Sequence, residues 1–142
     1  PDVVLGPLTS AWTAVEADGA WWIVGIDEAG GRCLTATTPG GPAPADGYHN
    51  VDFIFDGAPA TGTYTVRPFD FPNPPADTVF VSLDRRDGTT DTNVAQGASG
   101  TVVIDEVELC VRGTFDVTFA SGSVRGSFGA YLCNGPGVAP AP

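Results

Sequence analysis

The sequence predicts an all-β fold, specifically an antiparallel, jelly-roll-like β-sandwich of about eight strands. Apolar and polar residues alternate with the period of two that a half-buried strand requires, most clearly over residues 111–133. The 13 Pro and 19 Gly are scattered, which is typical of a chain with many turns between short strands. We find no apolar stripe at the i, i+3, i+4 spacing of an amphipathic helix.

Residues 111–133 predict a C-terminal β-hairpin. Ser121 and Gly122 suit its turn, because glycine tolerates positive φ angles. In this register Phe115 faces Phe128, and each apolar residue of one strand meets an apolar residue of the other. The inward residues are expected to be Val111, Phe115, Val117 and Phe119 on the first strand, and Val124, Phe128, Ala130 and Leu132 on the second.

The same register places Cys110 opposite Cys133, so we predict a disulfide between them. Closing this loop would stabilise the folded protein by about 3 kcal/mol in the chain-entropy model. Directly opposed cysteines on neighbouring strands can be strained, so Cys33 stays open as an alternative partner or as a free thiol.

Earlier strands follow from the same pattern. The continuous apolar run over residues 21–26 is typical of a strand that is covered on both faces. The parity of the apolar residues changes between Ile104 and Val107, which predicts a bulge or turn near residues 105–110. Further strands are expected at residues 51–56, 63–67, 79–83 and 101–107, and polar or proline-rich loops at 38–47, 69–77 and 84–100.

The chain divides into three predicted parts. Residues 1–15 are expected to form an N-terminal arm or edge strand, residues 16–134 a single β-sandwich domain, and residues 135–142 an extended Pro/Gly-rich tail. An arm can add itself as a strand to the sheet of another subunit. The apolar residues that would make this contact are Val3, Val4, Leu5 and Trp12.

The net charge is −11, from 17 acidic residues against six basic ones, all of them Arg. This balance argues against nucleic acid and anionic membranes as partners, since both need basic patches. No apolar run approaches the ~20 residues of a membrane span. The chain contains no Met and begins at Pro1, so we expect that a signal peptide has been removed and that the protein is extracellular or on the cell surface.

Four short strings resemble a broad group of bacterial secreted and lipoprotein-type β-sandwich domains. They are G-T-Y-T at residues 62–65, S-G-T-V-x-I at 99–104, V-x-G-T-F at 111–115 and G-S-F at 126–128, within a resemblance over residues 47–133. The resemblance implies a secreted β-sandwich of unknown function, and it carries no catalytic residues onto this chain.

Catalytic chemistry is not expected. His49 is the single histidine, and a turn or surface role suits it better than a catalytic or zinc-binding one, which would need further partners. Asp105 and Glu106 are adjacent on a predicted strand and so point to opposite faces, unlike the facing carboxylates of a glycosidase.

Two sets of residues are candidates for ligand binding. Oxygen ligands for calcium are supplied by Asp84, Asp87, Asp91 and Asn93, although a polar hairpin loop with internal salt bridges explains the same residues. Three tryptophans, Trp12, Trp21 and Trp22, are candidates for stacking on a sugar, or else for core packing and contacts between subunits.

The sequence therefore predicts a non-enzymatic structural protein, a self-assembling filament or fibre subunit that exchanges terminal strands and has its own copies as partners. The alternative is an adhesion module that binds an extracellular glycan or protein, assisted by Ca²⁺. No other cofactor is expected.

Overall fold

In the computed structural model, residues 10–15, 21–27, 47–69, 74–87, 90–108 and 110–132 are described. Within them the secondary structure is entirely β, so the predicted all-β class is confirmed. In the same residues we find no helix long and apolar enough to span a membrane. The strands are β1 (Ser10–Val15), β2 (Trp21–Asp27), β3 (Tyr48–Asp56), β4 (Gly62–Val66), β5 (Thr78–Asp87), β6 (Thr90–Gln96), β7 (Ser99–Val107), β8 (Cys110–Phe119) and β9 (Gly122–Leu132).

All nine described strands belong to one sheet, and eight of them form a closed ring of pairings. The ring runs β1, β2, β3, β5, β4, β7, β8, β9 and back to β1, and β6 is added to the side of β5. Antiparallel pairing dominates, as predicted. The two parallel pairings, β1 with β9 and β4 with β5, join two residue pairs each and close the ring.

The hydrophobic core lies between two sides of this ring. Phe53 on β3 packs against Phe115 on β8 and Phe128 on β9, with ring centroids 5.1 and 5.4 Å apart. Aliphatic residues of β2, β3 and β5 complete one side, and those of β7, β8 and β9 the other. The core residues are Val24, Ile26, Val51, Phe53, Phe55, Val66, Val79, Val81, Leu83, Val102, Ile104, Val111, Phe115, Val117, Phe119, Phe128 and Ala130.

The predicted C-terminal hairpin is present, but its predicted register is wrong by two residues. The turn is at Ala120 and Ser121, and Phe115 pairs with Gly126 while Gly113 pairs with Phe128. A methyl group on Gly126 would lie 3.2 Å from the Phe115 ring. Each phenylalanine thus lies over a glycine of the neighbouring strand, where there is room for a ring. A shift of two preserves which residues face inward, so the predicted inward residues are confirmed, apart from Leu132, whose side chain lies outside the described part of the structure.

The segment predicted as a polar loop, residues 84–100, is instead largely sheet. β5 continues to Asp87, and β6 returns from Thr90 to Gln96, with a register irregularity between Leu83 and Asp84. The predicted change of parity is confirmed. A second irregularity lies between Ile104 and Glu106, so that Asp105 is an extra residue on β7.

The N-terminal strand is not at an edge. Ser10–Val15 pairs with β2 on one side and, through Trp12 and Thr13, with β9 on the other. Within the predicted arm, Ser10–Val15 is therefore paired inside its own chain, along its whole length on the β2 side and at Trp12 and Thr13 on the β9 side. The predicted contact residues Val3, Val4 and Leu5 lie outside the described residues, as do residues 1–9 altogether.

Candidate functional site

A surface groove lies where β3 and β4 meet the start of β5. Its volume is about 340 Å³, including the open solvent at its mouth. The space within it that water molecules could occupy is about 80 Å³, well below the ~300–1,000 Å³ of pockets that enclose a small ligand, so the groove can contact part of a ligand but not enclose it. We call it the tyrosine groove; aromatic, proline and carboxylate side chains line it. Its residues are Phe55, Asp56, Ala58, Pro59, Tyr64, Pro74, Pro75, Ala76, Asp77 and Thr78.

Tyr64 is fixed in the groove by contacts at both ends of its side chain. Its ring meets the ring of Phe55 edge to face, with centroids 4.9 Å apart. Its hydroxyl accepts a hydrogen bond from the Ala60 amide at 2.8 Å and donates one to the Ala60 carbonyl at 3.1 Å. The turn between β3 and β4 therefore holds the ring in place, and the half-buried ring is presented to the groove without needing to rearrange.

The opposite wall of the groove is the turn that leads into β5. Thr78 donates from its hydroxyl to the Pro75 carbonyl at 2.6 Å, and the amide of Thr65 on β4 donates to the Asp77 carbonyl at 2.8 Å. Asp77 has a φ of 58°, in the left-handed region that aspartate enters more readily than most side chains. The exposed Asp77 carboxylate thus lies on a turn that is attached to β4.

The chemistry of the groove is apolar surface combined with hydrogen-bond acceptors. Tyr64 provides a half-buried aromatic ring, which the buried Phe55 supports from the core side, and Pro74 and Pro75 line the same groove. Asp56 and Asp77 are both exposed and add two carboxylates. In a chain of net charge −11, this arrangement suits a ligand with hydroxyl or cationic donors and disfavours an acidic one.

The predicted calcium ligands are divided between the two faces of the sheet. Asp84 and Asn93 come together, with the Asn93 amide donating to Asp84 at 2.9 Å. Asp87 lies on the other face of β5 and binds Arg85, whose Nε donates to its carboxylate at 3.0 Å. This hydrogen bond, together with the charge of Asp87, raises the pKa of Arg85 above its ordinary value. Asp91 pairs through its backbone with Arg86, and its side chain is not described.

The three tryptophans are placed by their backbones. Trp12 pairs with Gly25, Trp21 with Asp56 and Trp22 with Phe55, so the start of β2 runs beside the strand that carries the groove. Trp21 and Trp22 occupy opposite faces by register, as predicted from their adjacency. Their side chains lie outside the described part of the structure, so their role in sugar stacking stays a prediction.

The register argument for the Cys110–Cys133 disulfide does not hold. Cys110 pairs with Tyr131 rather than with Cys133. Cys33 and Cys133 lie outside the described residues, as does the side chain of Cys110, so the disulfide itself stays a prediction. His49 is half-buried on β3 and pairs through its backbone with Arg85.

Comparisons of the chain with family models, with curated proteins and with solved structures find no match. The resemblance to secreted β-sandwich domains therefore stays a prediction. Sequence reasoning missed the tyrosine groove. The proline-rich segment before β5 was a signal for it, but nothing in its spacing indicates that it lies against Tyr64.

Proposed function

We propose that this chain is a non-enzymatic secreted or cell-surface domain that binds an uncharged extracellular glycan in the tyrosine groove. The observation that carries the proposal is the fixed, half-buried ring of Tyr64, held against the buried ring of Phe55, with two exposed carboxylates at the same groove. Sugars combine an apolar ring face with a rim of hydroxyl donors, and this arrangement offers a partner for each.

Preorganisation favours binding here. Because Ala60 already holds the Tyr64 hydroxyl, a ligand meets a side chain that has little conformational freedom left to lose. The carboxylates of Asp56 and Asp77 accept hydrogen bonds from hydroxyl groups, and bonds to charged acceptors contribute about 1.5–3 kcal/mol each. The charge of −11 disfavours sialylated or uronic-acid chains, so the ligand class is neutral.

A glycan array probed with the full 142-residue chain, followed by calorimetric titration of the neutral glycans that bind, tests the proposal. The Asp56→Asn/Asp77→Asn double variant should lose affinity at least tenfold, because two charged acceptors are removed. The control is Asp87→Asn. Asp87 lies nine residues along β5 from Thr78, roughly 30 Å away at ~3.3 Å per residue, and should leave affinity unchanged.

If the chain binds no neutral glycan on the array, the proposal is overturned. If the double variant binds the glycan as tightly as the wild type, the tyrosine groove is not the binding site. Loss of affinity in the Asp87→Asn control as well would show that binding depends on the overall charge rather than on the groove.

A second proposal is the predicted structural role, assembly with further copies of this chain. The observation that favours it is β6, which among the described strands is the one that pairs on a single side. On its other side no described strand pairs with its backbone groups, and a strand of a neighbouring subunit could pair with them there. Terminal strand exchange is not supported by Ser10–Val15, since β1 is already paired within its own chain.

A further inference from the structure

Phe69 is an exposed aromatic residue in the segment that follows β4, and it lies outside the lining of the tyrosine groove. Its side chain is 56% exposed, so more than half of it faces solvent. A single exposed apolar residue is common on protein surfaces and carries no inference by itself. What distinguishes Phe69 is the support beneath its ring and its position relative to the groove.

The ring of Phe69 packs on the ring of Phe80, with centroids 4.6 Å apart and planes tilted by 54°. Phe80 alternates along β5 with the core residues Val79 and Val81, so it lies on the outer face of the sheet. It is nevertheless only 3% exposed. A buried ring on the outer face therefore supports an exposed one above it.

The backbone that leads to Phe69 is also held in place. The amide of Arg67 donates to the carbonyl of Val79 on β5 at 3.1 Å. Pro68 comes next, and its own ring fixes its φ angle. A ligand that contacts Phe69 therefore meets a side chain whose backbone and underside are already positioned, which reduces the entropy lost on binding.

The outer face of the sheet leads from this support to the tyrosine groove. On β5, Thr78 lines the groove and is two residues from Phe80, roughly 7 Å at ~3.3 Å per residue. On β3, Asp56 lines the groove, and Ile54, two residues before it, pairs with Phe80. Both strands thus place a groove residue next to a residue of the support, and Phe69 lies beside the groove.

The tyrosine groove is too small to contain a whole glycan. The space in it that water molecules could occupy is about 80 Å³, against ~300–1,000 Å³ for pockets that enclose a small ligand. The rest of a bound glycan must therefore lie on the surface that adjoins the groove. An aromatic ring there offers apolar contact to the apolar face of a sugar.

We propose that Phe69 is a second sugar-stacking position, and that the chain binds a neutral oligosaccharide whose successive residues contact Tyr64 and Phe69. This inference rests on the glycan proposal and specifies its ligand as longer than a monosaccharide. Asp56 and Asp77 accept hydrogen bonds from hydroxyl groups at the groove, while the side of the Phe69 ring that Phe80 does not cover packs on the next sugar. Affinity should therefore rise with the length of the oligosaccharide.

Calorimetric titration of the full 142-residue chain with neutral glucose, mannose and galactose oligosaccharides, each from monosaccharide to hexasaccharide, tests the inference. In a series that binds, we expect affinity to rise about fivefold or more between the shortest ligand that binds and the hexasaccharide. Phe69→Ala should abolish this rise and leave the affinity for the shortest ligand unchanged. Val94→Ala is the matched control, because Val94 is the other exposed large apolar residue of the described chain and lies on β6.

Two further variants separate stacking from a purely structural role. Phe69→Tyr keeps an aromatic ring and should keep the wild-type affinity for the hexasaccharide. Phe69→Leu keeps an apolar cover over Phe80 and should lose affinity as Phe69→Ala does. Circular dichroism and melting temperature establish that each variant folds, and Phe69→Leu takes the place of Phe69→Ala if the alanine variant does not.

Unchanged hexasaccharide affinity in Phe69→Ala overturns the inference and leaves the tyrosine groove as the whole site. Full affinity in Phe69→Leu also overturns it, since the aromatic ring is then not required. If no series binds, the glycan proposal fails, and this inference fails with it. A lower solution mass of Phe69→Ala at unchanged glycan affinity would instead assign the ring to contacts between copies of the chain.

Discussion

At the scale of single residues, Asp77 shows the clearest conflict between local preference and fold. Its φ of 58° is the one positive φ of a non-glycine residue in the described part of the chain. The left-handed region costs an ordinary L-residue about 1–2 kcal/mol, and a β-branched side chain tolerates it least. Asp77 remains there because its carbonyl accepts the Thr65 amide and so attaches the groove wall to β4.

We predict that Asp77→Val lowers the free energy of unfolding by about 1–2 kcal/mol, whereas Asp77→Asn stays within about 0.5 kcal/mol of the wild type. Urea denaturation with its midpoint and slope measures both. The control is Asp56→Val, an exposed residue at the end of β3 where valine suits the extended backbone. Equal destabilisation by the two valine variants would show that the loss arises from the apolar side chain and not from the φ angle.

At the scale of elements, the hairpin of β8 and β9 shows what a period of two determines. The inward residues were predicted from sequence because alternation alone fixes the face of each side chain. The register was not, because a two-residue shift leaves every face unchanged. What selects the observed register is the fit of Phe115 over Gly126 and of Phe128 over Gly113, together with Gly122, whose φ of 153° follows the turn directly.

Gly113 also allows close approach between β8 and β7. A Cβ at this position would collide with the carbonyl oxygen of Val103 and lie 3.1 Å from Cζ of Phe128. We predict that Gly113→Ala destabilises the fold by about 1–3 kcal/mol, the usual cost of overpacking. Gly129→Ala is the matched control, because its nearest neighbour would be Cγ of Arg112 at an ordinary 3.7 Å. Thermal and urea unfolding compare the two, and a similar loss in both would contradict the explanation by close approach.

The tyrosine groove was not predictable element by element. The sequence predicted the strand containing Phe55 and the strand containing Tyr64, and it predicted a loop for the prolines. It gave no indication that the Thr65 amide pairs with the Asp77 carbonyl, which brings the loop against the strand. Contacts of this kind depend on a parallel pairing of two residue pairs, too short to leave a pattern in the sequence.

At the scale of the whole molecule, the ring joins the two ends of the described chain. The first described strand, β1, pairs with the last, β9, through Trp12 and Thr13. Such pairing is the least local contact that a chain can make, and its loop-closure entropy is the largest. Pairings between strands that are consecutive in the chain, such as β1 with β2 and β8 with β9, can be predicted from sequence patterns. The pairings that close the ring were not.

The closed ring leaves β6 as the place where assembly by strand addition can be tested. Val94 is 39% exposed on this strand, and the longest uninterrupted part of the β5–β6 register, Thr90 to Asn93, contains Thr92. If copies of the chain pair through this edge, the solution mass should exceed 14.5 kDa, and Thr92→Lys should restore the monomer. A lysine on an edge strand disfavours a further strand.

Light scattering coupled to size exclusion measures the mass over a range of protein concentrations. Thr118→Lys is the control, because Thr118 is also exposed but lies on β8, which has strands on both sides. It should leave the assembly intact. A wild-type mass of 14.5 kDa at every concentration would remove the structural proposal, since β6 is the one described strand with an open side. It would leave the glycan proposal standing, because a groove formed within one chain needs no second copy.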